Sequence, residues 1–187
     1  MAFYTEDELK DLNIASFGKN VKISKLCQIY RPEDTIIGNN IRIDDFCILS
    51  GKINLGNNIH LAPYTHLAGG DVGIEMHDFS GAAFNVIITS SSDDYSGRSM
   101  TNPTVPNIYK KHKKAAKIII KKHSIIGSGS IIMPGVILEE GTSIGALTFV
   151  NKSTEPWSIY SGNPAKKIMK RKKDLLLLEE QYLEKNK

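Results

Sequence analysis

Residues 120–150 read IKKHSIIGSGSIIMPGVILEEGTSIGALTFV. Aliphatic residues recur in this stretch at Ile120, Ile126, Ile132, Leu138, Ile144 and Val150, a constant step of six. Four residues after each of the first five stands a small or β-branched partner: Ser124, Ser130, Val136, Thr142 and Thr148. An amphipathic helix would repeat every 3.6 residues and an alternating strand every two. A period of six means a short strand, a turn, and the same again.

The same step extends toward the N-terminus. It begins at Phe17 and Ile23 and is interrupted by an irregular Tyr30-Arg31-Pro32-Glu33-Asp34 turn. It resumes at Ile37, Ile43, Leu49, Leu55, Leu61 and Leu67, slips at Gly69-Gly70, and restarts at Met76, Ala82 and Ile88. Gly-Asn-Asn follows both Ile37 and Leu55, eighteen residues apart, and Gly and Asn tolerate positive φ. Three hexads therefore complete one lap, a triangular coil whose strands stack in parallel about 4.8 Å apart. The pattern predicts an all-β solenoid of about six coils over residues 17–155, each coil depending on its neighbours for burial. At the N-terminus Thr5 with Glu8 reads as a capping box opening a short cap helix within residues 1–16. Residues 156–187 form a tail in which Asp174 caps a last helix from Leu175 to about Glu184.

Between Ile88 and Lys117 the period fails. Residues 89–116 hold two prolines, a Ser-Ser-Ser-Asp-Asp run and a lysine cluster, and no hexads. So long a break in a regular solenoid reads as a functional loop.

The chain has 187 residues and a net charge of +4, with 41% hydrophobic and 24% charged residues. It reads as a globular, cytoplasmic protein, with no apolar run to insert in a membrane and no secretory signal. Seven lysines and no acid lie in residues 110–122, and six basic residues and no acid in 166–173, so anionic groups are natural partners. Cys27 and Cys47 each stand at the small inward position of a hexad and read as buried structural thiols. His60 and His66 stand six apart on one face, and His123 reads as a surface residue. No histidine has cysteine or carboxylate partners at ligand spacing, so no metal is expected.

The hexads, the extruded loop and the tail Ser161-Gly162-Asn163-Pro164-Ala165-Lys166-Lys167-Ile168 together resemble the hexapeptide-repeat acyltransferases. Residues 44–51 (DDFCILSG), 73–76 (GIEM), 93–97 (DDYSG) and 102–106 (NPTVP) look most like the bacterial nucleotide-sugar N-acyltransferases of the anthrose type. The resemblance implies a left-handed parallel β-helix and a homotrimer, with acetyl-CoA or another acyl-CoA lying in the groove between prisms. It also implies an acyl group transferred to the amine of a nucleotide-linked amino-deoxy sugar for surface polysaccharide, with no nucleic-acid partner.

In the similar galactoside and maltose O-acetyltransferases a histidine near the start of the loop is the base, and Asp93 occupies that position here. A carboxylate is a weak base for a hydroxyl. An amine titrating near pH 8 needs a proton acceptor only as the C–N bond forms, so Asp93 tilts the reading to N-acylation. Asp94 is the neighbouring candidate, and Ala83 stands where the anthrose-type enzymes have a helping serine. The resemblance places the cofactor arm on Ser128, Gly129, Gly145 and Ala146, its far end on Asn151 and Lys152, and its phosphates on Lys166 and Lys167. Asn85, Tyr64, His66, Glu75 and Asp44 are the candidates for the sugar side. Competing readings are sugar O-acetylation through His66 or His77, and a structural solenoid without a site; the irregular loop and basic tail argue against the latter.

Overall fold

A computed structural model describes residues 2–185. They form a left-handed parallel β-helix with a helix at each end. The first face stacks Val21–Ile23, Ile41–Ile43, His60–Leu61, Gly81–Ala82, Ile125–Ile126, Ser143–Ile144 and Ser158–Ser161 in parallel. On the second face Leu49, Leu67, Ile88, Ile132 and Val150 stack in register, and on the third Ile37, Leu55, Met76, Ile120 and Leu138. All of these hexad aliphatics are buried in one continuous core. The slip at Gly69-Gly70 is a bulge in His66–Met76, where Gly70 and Gly73 take φ of 53° and 95°.

The structure has about seven turns rather than six. The additional one is built by Ser158–Ser161, pairing in parallel with Ser143–Ile144. Its inward positions carry Ser158 and Tyr160 instead of an Ile/Leu/Val step, so it has no hexad signature although the backbone pairing continues. Lys166–Lys170 then pairs antiparallel with that strand and ends the stack.

Where the small second member of a hexad is Ser or Thr, its hydroxyl has a polar duty. Ser124 Oγ donates to the Glu139 carbonyl at 3.0 Å and Ser130 Oγ to that of Gly145 at 2.9 Å, while Thr142 and Thr154 share a hydroxyl bond of 2.8 Å. The corner between the third and first faces is laddered by side-chain amides. Asn20 donates to Asn40 and Asn40 to Asn58, while Asn39 donates to Asn57 and Asn57 to Asp78. The hydroxyl bonds satisfy polar groups that burial would otherwise leave unpaired, while the amide ladder lies at the solvent edge and ties coil to coil.

Helix α1, Glu6–Asp11, has the expected capping box: Glu8 N–H bonds Thr5 Oγ1, and Thr5 N–H bonds the Glu8 carboxylate. Helix α2, Leu175–Lys185, folds back over the corner between the third and first faces. Its Glu179 meets Lys122 Nζ at 2.6 Å and His123 Nε2 at 2.8 Å, and Tyr182 OH donates to Asn58 at 3.0 Å. His123 is therefore not the surface residue expected from its turn position. It is 7% exposed, stacked on Phe79 at 5.4 Å and tilted against Trp157 at 6.1 Å. Among the described residues no helix is long and apolar enough to cross a membrane.

Two outcomes are expected. Leu61→Ala, which hollows the first-face stack between Ile43 and Ala82, lowers unfolding free energy by about 2–5 kcal/mol in urea titrations. Burial pushes the Glu179 carboxyl up, but the hydrogen bonds from Lys122 and His123 outweigh it and hold the group below its ordinary range. A depressed carboxyl stabilises α2 docking above the ordinary value and loses that contribution as pH falls through the depressed one. An acid titration should therefore show a Trp157 fluorescence step below about pH 4, absent in Glu179→Gln.

Candidate active site

The excursion leaves the solenoid at the corner between the second and third faces. Ile87–Thr89 runs out of the second face into Ser90, which is fully buried and donates its hydroxyl to the Gly69 carbonyl at 2.5 Å. The chain returns at Ala116, whose N–H bonds the Ser90 carbonyl at 2.9 Å. Between these anchors Ser91–Ser92 and Lys114–Ala115 pair antiparallel as a two-stranded neck. Asp93 is the first residue beyond the neck.

The two aspartates there have different work. Asp94 accepts from Ser96 N–H at 2.9 Å, Ser96 Oγ at 2.6 Å and Ser99 N–H at 3.0 Å, so both of its oxygens are spent folding the loop. The Ser96 hydroxyl, then the Ser96 and Ser99 amides, hold its carboxyl far below the usual carboxylate range. Such a group is a poor proton acceptor. Among the described residues Asp93 accepts only the Asn102 N–H, at 2.9 Å on Oδ2, which leaves Oδ1 open to them. Asn102 is fixed in turn by its Oδ1 accepting from Thr104 N–H at 2.9 Å and by Lys110 Nζ bonding its carbonyl at 3.0 Å. The loop is thus an ordered platform that presents one carboxylate oxygen.

The acceptor-side candidates are not gathered within one chain. Tyr64 and Asn85 lie on the corner between the first and second faces, on adjacent coils, with φ of 64° and 58°. His66 is an outward residue of the second face, in register with Ile87. Its ring makes no hydrogen bond among the described residues, burial lowers its pKa, and it lies one face on from His60 rather than on the same face. Asp93 stands across that face, at its other edge. Glu75 faces outward on the third face, bound to His77 Nε2 at 2.8 Å and Lys117 Nζ at 2.5 Å. Asp44 is only 3% exposed and is taken up by Arg42 Nε and His60 Nε2, both at 2.7 Å. Its carboxylate pins the first face and is not open to a sugar.

The expected cofactor positions also divide. Ser128 and Gly129, then Gly145 and Ala146, lie on successive coils of the corner that carries Tyr64 and Asn85; Leu147 N–H bonds the Ser128 carbonyl at 2.8 Å. Gly129 has φ of 69°, and a Cβ there would strike Leu147 Cδ2 at 2.7 Å. A Cβ at Gly145 would crowd Ser161 Oγ at 3.0 Å. This flat run, with no long side chain between Asn85 and Leu147, suits a thin pantetheine arm. Asn151 and Lys152 are exposed on the corner that emits the loop. Lys166 and Lys167 are exposed on the terminal strand, where Lys167 pairs with Glu155 at 2.5 Å. The sequence pattern passed over Phe46, one coil below Tyr64 at the equivalent corner position, although the eighteen-residue interval between the two was there to be seen.

No family model matches the chain. It is 44% identical over 183 residues to the dTDP-4-amino-4,6-dideoxy-D-glucose acyltransferase of Escherichia coli, covering 96% of this chain and 94% of that one. AntD, an N-acyltransferase from Bacillus cereus, has been solved with dTDP and 3-hydroxybutyryl-CoA. That structure superposes with a TM-score of 0.96 at 49% identity, over 98% of this chain and 97% of the other. A serine-to-alanine variant of AntD with dTDP-4-amino-4,6-dideoxyglucose and coenzyme A superposes at 0.97, with 49% identity and 98% of each chain covered. A maltose O-acetyltransferase from Clostridium difficile shares the fold alone, at TM-score 0.54 and 22% identity over 90% of this chain and 75% of that one.

The division between the aspartates is open to test. Asp93→Asn should lower turnover roughly 100-fold while leaving the loop intact. Asp94→Asn should loosen the loop, read as faster proteolysis within residues 93–113, and affect turnover only through that loosening. Equal and undiminished rates for wild type and Asp93→Asn would remove Asp93 from the base's role.

Proposed function

This chain belongs to the nucleotide-sugar N-acyltransferases of the hexapeptide-repeat fold, and we propose that its own acceptor is a dTDP-linked 4-amino-4,6-dideoxy sugar. The donor is acetyl-CoA or another short acyl-CoA, as 3-hydroxybutyryl-CoA is in AntD. The observation that carries the reading is Asp93: a carboxylate, in place of a histidine, at the mouth of an ordered loop with one oxygen open.

The thioester supplies an activated carbonyl. An amine near its own pKa is partly neutral at pH 7 and attacks without prior deprotonation. As the C–N bond forms, the ammonium proton passes to Asp93 Oδ1. Backbone N–H groups on the flat corner steady the developing oxyanion, and the CoA thiolate leaves. Ala83 brings no hydroxyl to this chain's site, so no relay runs through that position. Ser128, Gly129, Gly145 and Ala146 carry the arm, and Asn151 and Lys152 its far end. Lys166, which makes no ion pair among the described residues, and Lys167, once released from Glu155, meet its phosphates.

The working enzyme in this reading is a homotrimer. In one chain Asp93 and the Tyr64–Asn85 corner are separated by the width of the second face, so a neighbouring prism must bring one edge to the other. The outward column Ile48, His66, Ile87, Ile131 and Phe149 on that face is apolar apart from His66, which suits subunit packing. With such substrates the reaction belongs in the cytoplasm, upstream of surface polysaccharide assembly.

Thiol release from acetyl-CoA and 3-hydroxybutyryl-CoA, measured against a panel of nucleotide-linked amino and hydroxy sugars, tests the reading. Release with dTDP-linked 4-amino sugars and none with hydroxyl acceptors is the expected result. Turnover confined to a hydroxyl acceptor would replace it with O-acylation, and a monomer by light scattering during turnover would remove the shared site.

A further inference from the structure

The seven lysines of residues 110–122 do not form one basic patch. Lys117 pairs with Glu75 at 2.5 Å, Lys121 with Glu139 at 2.7 Å and Lys122 with Glu179 at 2.6 Å. The side chains of Lys111, Lys113 and Lys114 are exposed and make no hydrogen bond or ion pair among the described residues. Lys110 differs from both groups. It is half-buried, and its Nζ turns back into the loop to a backbone carbonyl, that of Asn102, at 3.0 Å.

That carbonyl belongs to the residue whose N–H holds Asp93. Asn102 has φ of 80°, in a region that Asn enters more readily than most side chains do. Its polar groups face three ways. The N–H meets Asp93 Oδ2 at 2.9 Å, and the side-chain oxygen accepts from Thr104 N–H at 2.9 Å and Thr104 Oγ1 at 2.6 Å. The carbonyl accepts from Val105 N–H at 3.3 Å as well as from Lys110. Around this centre Met100 N–H bonds the Tyr109 carbonyl at 3.0 Å and His112 N–H bonds Ser99 Oγ at 3.3 Å, so residues 99–102 run beside 109–112. Thr104 and Val105 hold Asn102 from within its own turn. Lys110 makes the one hydrogen bond among the described residues that ties Asn102 to the returning segment.

We infer that Lys110 is a positioning residue for Asp93, acting through Asn102, and not a ligand for substrate phosphate. The inference rests on the reading of Asp93 as proton acceptor and names what aims it. A carboxylate held by one hydrogen bond keeps its second oxygen on a fixed bearing only while the donor's own residue is fixed. A cation on the Asn102 carbonyl makes a charge-assisted bond, stronger than the neutral turn bond beside it. Without it the loop keeps the contacts that Asp94 makes to Ser96 and Ser99, and Asn102 alone gains freedom to turn. A small misplacement of the reacting oxygen then costs turnover and not binding.

The experiment measures thiol release with a dTDP-linked 4-amino sugar in wild type, Lys110→Met, Lys110→Arg and Lys113→Met, and in Lys110→Met combined with Asp93→Asn. Lys110→Met should lower kcat about 10-fold, with KM for both substrates unchanged. Lys110→Arg keeps a cationic donor and should restore most of the rate. Lys113→Met removes an equal charge without touching Asn102 and should leave kcat as it was. On Asp93→Asn the loss caused by Lys110→Met should vanish, because no carboxylate is left to aim. Proteolysis within residues 93–113 should stay as slow in Lys110→Met as in wild type. An unchanged kcat, a raised KM for the nucleotide sugar, or an equal loss in Lys113→Met would overturn the assignment. So would a loss that persists in full on Asp93→Asn, or cleavage as fast as in Asp94→Asn. An undiminished rate in Asp93→Asn alone would instead strike the parent reading.

Discussion

Each coil of this molecule is held chiefly by the backbone hydrogen bonds it makes to the coils above and below, its internal bonds being confined to the tight corners. A strand of two or three residues has almost no stability alone. Stacked in register, the same strands bury continuous columns of Ile, Leu and Val, joined by Ala82 and Met76, and backbone polar groups find partners one coil away. Everything else is a response to that dependence. Hydroxyls at the small inward positions tie corners to the next coil, amides ladder one edge, and an antiparallel strand and a capped helix finish the two ends.

A body so regular has little room for chemistry, because every inward position is committed to packing and every backbone group to its neighbour. Reactive geometry must come from places where the repeat is broken without breaking the stack. The loop leaves and returns through Ser90 and Ala116, which bond each other and the coils on either side, so the core pays no toll for the excursion. Inside it, one aspartate builds the loop and the adjacent one is displayed by it. The same economy explains the scattered site residues. Faces are separated by a prism's width, so the flat corner and the loop of one chain stand apart, which is why the proposed site is shared between chains.

The corners also show how one backbone conformation serves two ends. Aromatic residues in the left-handed region become structural when a helix folds over them, as α2 does with Phe79 through Tyr182 and with His123 through Glu179. Left uncovered, as Phe46 and Tyr64 are, the same arrangement is a preorganised surface.

The hexad step, with its turn residues, determined the solenoid, its three-strand lap, the N-terminal capping box and the place where regularity ends, because these are set by local periodicity and by neighbours close in the chain. The match of 93–97, 102–106 and the tail to known acyltransferases carried the activity further than spacing alone. Three matters were decided only by the tertiary structure. The seventh coil is invisible as a pattern because Ser158 and Tyr160 pair by backbone while lacking an aliphatic step. His123 looks exposed from its turn and is buried because a helix 56 residues later supplies its carboxylate. Asp93 and Asp94 are indistinguishable as letters, and Asp44 looks as available as either. Which carboxylate is free depends on which amides, hydroxyls and cations the folded chain brings to each, and that is a property of three-dimensional neighbours, not of sequence order.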